Sequence, residues 1–221
     1  MNEAVFKYLA RIIIILTAIP VHETAHAYVS YLLGDPTAKE QGRLTLNPLK
    51  HFDPIGTLCL LVTGIGWAKP VPIDVRYYKN RKLGMALSAL AGPVSNFIMA
   101  FLSLVVYKII YYASYNAAST VFDYILVVFY YMIIINIALG IFNLIPVPPF
   151  DGSRILFSIL PDRWYFGIMK YERYIFVAVF LILTLTHVLD EPLSAANATV
   201  LSFFDRATYF IDKIAYTRIG L

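Results

Sequence analysis

Between about Val5 and Leu33 the chain is apolar enough for a membrane helix, yet His22, Glu23 and His26 interrupt it on adjacent turns. At about 1.5 Å per residue such a segment crosses a hydrocarbon core of about 30 Å with some tilt, and His22 lies roughly 16 Å from the Leu33 end. Ionisable side chains at that depth are costly unless something pairs with them, so the fold must bring a partner to this helix. His22 and His26, at i and i+4, project from one helical face, the spacing at which two imidazoles grip one Zn²⁺. Glu23 sits one position on from His22, close enough to act on a water beside the metal instead of on the metal itself. These are the parts of a hydrolase placed at membrane depth.

Composition agrees with that setting. Hydrophobic residues make up 59% of the chain and charged residues 14%, with mean hydropathy +0.68. Soluble domains lie near about 45 to 50% apolar and about 25% charged. The sequence predicts one integral membrane domain over residues 1–221, with a core at about 5–160 and C-terminal helices at about 171–214. Further spans are expected at about Leu83 to Tyr112, Val121 to Leu144 and Tyr171 to Leu189. A final apolar helix at about Leu193 to Ile211 carries Asp205 and Arg206, with Asp212 just beyond, and reads as partly interfacial. Ile55 to Ala68 is apolar but only fourteen residues long with three glycines, which suits a re-entrant segment better than a span. Alternation at Arg43 to Leu46 and at Val71, Ile73 and Val75 predicts short strands on either side of it. The expected fold class is thus an all-α polytopic membrane protein, about four to six membrane helices around a buried metal site, with a short re-entrant or β-hairpin element.

Charge and cysteine usage exclude other classes. The net charge of +4 is spread over loops and gives topology, not a nucleic-acid footprint. Cys59 is the single cysteine, so neither an intramolecular disulfide nor a thiolate-rich metal site can form. Lys69, Arg76, Lys79, Arg81 and Lys82 fall in one loop and Arg154, Arg163, Lys170 and Arg173 in another. Ala113 to Thr120 and Asp190 to Asn197 contain no Lys or Arg, so the cationic loops are expected on the cytoplasmic side. Tyrosines such as Tyr107, Tyr111, Tyr112, Tyr115, Tyr130 and Tyr131 read as lipid-interface residues.

Catalytic zinc usually takes three protein ligands and keeps one position open, so a third ligand is needed. Asp151 is the best candidate. It follows Pro146, Pro148 and Pro149, which unwind a helix end and free backbone and carboxylate to face an inner cavity. The competing reading is a helix cap, since Asp151-Gly152-Ser153 opens a helix. His51, between Pro48 and Pro54, reads as a loop residue bonding backbone, and His187 as an interfacial histidine. Asn96, Asn136, Asn143, Ser88 and Ser95 are polar enough to line a path for water.

With these motifs the chain resembles the site-2 protease family, the intramembrane zinc metalloproteases of peptidase family M50. The resemblance rests on His-Glu-x-x-His at His22 to His26 and on Asn-x-x-Pro-x-x-Pro-x-Asp-Gly at Asn143 to Gly152. It extends to Gly42-Arg43-Leu44-Thr45-Leu46-Asn47-Pro48 with His51, Asp53 and Pro54, to Gly66-Trp67-Ala68-Lys69-Pro70-Val71-Pro72, and to Gly92-Pro93 with Asn96. It covers roughly residues 10 to 160.

The resemblance implies that His22, His26 and Asp151 ligate one Zn²⁺ per chain and that Glu23 is the general base and acid. Asn143 would help hold substrate or the oxyanion. The implied substrates are transmembrane segments of other proteins or signal-peptide remnants in the lipid bilayer, with no nucleic acid involved. The implied setting is the plasma membrane of a prokaryote, with the active site reached from the cytoplasm. The form expected is a near-minimal one without a PDZ or CBS domain. Two other classes share some of these features. A membrane metal transporter would use the same ligands but gives Glu23 no task, and a non-proteolytic adaptor would not need Glu23 at all.

Overall fold

The computed structural model describes residues 3–63, 67–115, 119–161, 167, 170–186 and 188–219. The protein is all-α. Among the described residues its helices are α1 (Glu3–Leu32), α2 (Thr37–Glu40), α3 (Pro54–Thr63), α4 (Arg81–Ala113), α5 (Thr120–Asn143), α6 (Asp151–Ile159), α7 (Glu172–Thr186), α8 (Asp190–Ala207) and α9 (Tyr209–Ile219). Short 3₁₀ turns lie at Pro48–Lys50 and Val75–Tyr77.

Among the described residues, three helices are long and apolar enough to cross a membrane: the Ile12–Leu32 part of α1, α4 and α5. They match the first three expected spans. The expected span at Tyr171 to Leu189 is represented by the fifteen-residue α7, shorter than the ~20 residues a crossing needs. His187 lies outside the described residues. The expected final helix is broken at Thr208 into α8 and α9.

Local chemistry sets the helix ends. Past α1, Gly34 adopts φ 105°, and Asp35 N–H donates to Ser30 O while Gly34 N–H donates to Tyr31 O. This pair of bonds is the Schellman closure that turns the chain off the helix. Asn80 caps α4 by accepting from Leu83 N–H at 3.1 Å. Asp35 is then a node. Its carboxylate accepts from Ser30 Oγ at 2.8 Å, from Asp74 N–H at 2.8 Å and from both the amide and hydroxyl of Thr37. Burial works to raise its pKa, but the Thr37 hydroxyl, the Asp74 and Thr37 amides and the Ser30 hydroxyl outweigh it and lower the pKa below the usual carboxylate range.

α4 is the central element, packing on α1, α5 and α6, while α5 also packs on α1 and α8. Ala100 and Leu104 of α4 form one buried cluster with Ile133 and Ile137 of α5 and Phe204 of α8. On the far part of α4, Lys108 is buried and reaches Asp205 Oδ1 at 2.7 Å and Asp212 Oδ2 at 2.6 Å. Tyr112 donates to the other oxygen of Asp212 at 3.0 Å. One cation thereby ties both sides of the Thr208 break to α4.

The expected strands do not form. Among the described residues the one backbone pairing of β type is an isolated antiparallel bridge between Phe52 and Ala68. Side chains occupy the groups a ladder would use: Thr45 O accepts from Thr24 Oγ1 and from His51 Nε2, each at 2.6 Å. Val71 N–H goes to Glu23 and Asp74 N–H to Asp35, while Pro70 and Pro72 have no N–H to give. Within the expected re-entrant stretch, the ten-residue α3 starts just after Phe52, and the bridge brings Ala68 back beside its starting level. Residues 64–66 lie outside the described residues.

Candidate metal centre

The α1 register and the α5–α6 break bring His22, His26 and Asp151 to one point. Asp151 Oδ2 lies 3.1 Å from His22 Nε2 and 3.1 Å from His26 Nε2, and the two Nε2 atoms are 3.0 Å apart. Both histidines are buried. The proline-rich turn after Asn143 carries Asp151 to this depth as the first residue of α6. Phe150 occupies the N-cap position, and no side chain caps the helix there. The carboxylate is spent on the histidines and not on the helix end.

The wall of the site is the backbone of α4 at Gly92. A Cβ at that position would lie 2.4 Å from His26 Nε2 and 2.6 Å from His22 Cε1, so any larger residue would displace the imidazoles. At Gly152 a Cβ would come 2.2 Å from Leu144 O, so this glycine lets the start of α6 pack against the turn that follows α5.

The outer nitrogens of the histidines settle what the inner ones can do. His26 Nδ1 is 2.6 Å from Ser88 O, a backbone carbonyl that can only accept, so Nδ1 carries a hydrogen and the neutral ring presents a lone pair at Nε2. His22 Nδ1 is 2.6 Å from Asn96 Oδ1 and is committed in the same way. In the neutral imidazoles, two nitrogen lone pairs and a carboxylate oxygen thus converge, an arrangement that a shared cation stabilises, whether a metal ion or a proton on one Nε2. Two imidazoles and one carboxylate are a zinc donor set. Their separations approach the ~3.3 Å edge of a tetrahedron with ~2.0 Å bonds.

Glu23 stands apart from these three, half-buried, with Oε2 accepting from Val71 N–H at 3.2 Å. The chain leading into Val71 is held by Arg43, which donates to Lys69 O at 2.7 Å and to Pro70 O at 3.3 Å. His51 is fully buried and bonds Thr45 O, in its expected structural place. Asn143 ends α5 half-buried, with Nδ2 donating to Leu139 O at 3.0 Å, and is not one of the three clustered residues. The expected water path is altered at two points. Asn96 and Asn136 are fully buried and bond each other, while Ser95 Oγ turns back to Gly92 O. The support given to the histidines by Asn96, Asn136 and the Ser88 carbonyl, and to Glu23 by Val71, was not foreseen from sequence. Polarity in an apolar helix was the signal for Asn136, and Asn96 also stood in the Gly92-Pro93 motif.

A family model described as Peptidase family M50 matches residues 10–186. The chain belongs to peptidase family M50. It is 43% identical over 200 residues to the Bacillus subtilis (strain 168) protein named "Putative zinc metalloprotease YwhC", covering 87% of this chain and 90% of that one. A Mycolicibacterium smegmatis protein named "Putative zinc metalloprotease Rip2" is 29% identical over 64% of this chain and 53% of its own length. "Zinc metalloprotease MJ0392" of Methanocaldococcus jannaschii is 26% identical over 74% of this chain and 38% of its own length. No solved structure matches the chain significantly. This M50 member is a zinc metalloendopeptidase, and its three apolar helices fit an integral membrane protein.

Proposed function

We propose that this M50 peptidase hydrolyses peptide bonds in transmembrane segments of other proteins, or in signal-peptide remnants, inside the bilayer. The observation that carries the reading is the convergence of His22 Nε2, His26 Nε2 and Asp151 Oδ2 beside a helix apolar enough to cross a membrane. These three residues are the ligand set. When bound there, zinc supplies a Lewis acid for the scissile carbonyl and an acidified water as nucleophile.

The chain's own groups do the rest. Glu23 takes a proton from the attacking water and returns it to the leaving amine, a role that suits a carboxylate one position from a ligand but not itself in the cluster. Val71 N–H holds it meanwhile. Asn143 spends one amide hydrogen on Leu139 O, and the remainder of its amide is assigned to holding substrate or the oxyanion. Residues 1–221 act as one unit. Access is assigned to the cytoplasmic side of a prokaryotic plasma membrane, a reading supported by the Lys and Arg residues of the loops beside the site.

The test is co-expression of the protein, or its Glu23→Gln form, with tagged single-span proteins and signal-peptide remnants, read by gel. Chelator-sensitive cleavage by the unaltered protein alone is the expected result. Equal cleavage by Glu23→Gln would remove Glu23 from its role, and metal-dependent flux into proteoliposomes with no cleavage would replace the peptidase reading.

A further inference from the structure

We propose that Asn96 and Asn136 are a positioning pair that locks His22 in its metal-ligating tautomer and thereby sets the affinity of the site. The inference rests on the ligand set proposed above. Asn96 lies in α4 and Asn136 in α5, both fully buried between helices that cross the apolar layer. Amides in that position are costly unless every group is satisfied, and here the bonds form a directed chain. Asn136 Nδ2 donates to Met132 O at 2.8 Å, Asn96 Nδ2 donates to Asn136 Oδ1 at 2.9 Å, and Asn96 Oδ1 faces His22 Nδ1 at 2.6 Å.

The direction of the chain comes from its far end. Met132 O can only accept, so the NH₂ of Asn136 must face it and the Oδ1 of Asn136 must face Asn96. That fixes the Asn96 amide, whose oxygen is left to face His22. A lone asparagine beside His22 would be ambiguous. Turned over, it would donate to Nδ1, move the imidazole hydrogen to Nε2 and so block the atom that faces Asp151. Asn136 removes that alternative. His26 needs no such device, because its outer nitrogen meets the Ser88 carbonyl. Asn136 also sits on α5, whose end leads through the proline turn to Asp151 at the start of α6, so the second half of the lock and the third ligand lie on one short stretch of chain.

The experiment uses the full chain in detergent, stripped of metal and titrated with Zn²⁺ against a chromophoric chelator. The visible spectrum of the Co²⁺-loaded protein is recorded in parallel, and circular dichroism checks folding. Asn96→Leu is expected to weaken zinc binding by about 10- to 100-fold and to change the Co²⁺ bands. Asn96→Asp, which keeps the acceptor, is expected to recover most of that loss. Asn136→Leu is expected to fall between the two, since Asn96 then sits either way round. Folded Asn96→Leu and Asn136→Leu proteins that bind zinc as tightly as the unaltered chain would overturn the proposal. Equal weakening by Asn96→Leu and Asn96→Asp, with Co²⁺ bands unchanged, would also overturn it by reducing the pair to packing. If Asn96→Leu fails to fold, Asn96→Asp and Asn136→Leu decide by the same readouts. The control is His22→Ala: if it retains tight zinc binding, the ligand assignment itself has failed, a result separable from failure of the lock.

Discussion

Glu23 of α1 and Val71, 48 residues further along the chain, meet through one hydrogen bond of 3.2 Å from the Val71 amide to Oε2. The position of the assigned base therefore depends on a loop, and the loop depends on Arg43, whose guanidinium holds the two carbonyls just before Val71. Arg43→Ala is expected to leave zinc stoichiometry unchanged while lowering cleavage by roughly 10- to 100-fold, the scale on which small misplacements of catalytic groups act. Cleavage assays beside metal analysis check this, and loss of zinc in the variant would contradict it.

Gly92 is expected to tolerate no side chain. Gly92→Ala places a methyl against His26 Nε2 and His22 Cε1, so bound zinc should drop well below that of the unaltered protein while the helical signal persists. Metal content by atomic emission and helicity by circular dichroism make the comparison.

How far the sequence alone could reach varies along the chain. The meeting of His22 and His26 was legible because they are local, and the approach of Asp151 because prolines mark the break that frees it. The strands misled because Arg43 to Leu46 and Val71 to Val75 do alternate, but Thr24, His51, Glu23 and Asp35 capture the backbone groups that pairing would use. Apart from His51, which is local to Thr45, those captures come from residues far away in sequence. The Asn96–Asn136 contact likewise depends on the register of α4 against α5, which no local pattern encodes.

Lys108 offers a test of stability. Its buried ammonium is matched by Asp205 and Asp212, and Lys108→Met leaves the nearly buried Asp212 uncompensated. The expected cost is about 3 kcal/mol, the scale for breaking a buried pair. Lys108→Met combined with Asp212→Asn should recover part of it. Thermal unfolding of the two variants in detergent reads the difference.

Asp35 predicts an acid-sensitive junction. Its folded pKa is lowered, so its contribution is present above the ordinary value of about 3.9 and is lost as pH falls through the lowered value. Below about pH 4 the joint between the end of α1 and the Asp74 segment should loosen, seen as faster amide exchange in residues 33–80. Asp35→Asn should be looser already at neutral pH and lack that acid step.

The unlike partners of the two histidines expose them unequally to genetic drift. His26 leans on the carbonyl of residue 88, which every amino acid possesses, so a change of the Ser88 side chain leaves that support chemically in place. His22 leans on a side chain at position 96, whose own orientation is set by another at 136. In the proposed ligand set, one histidine is thus buffered against mutation and the other is hostage to two further codons.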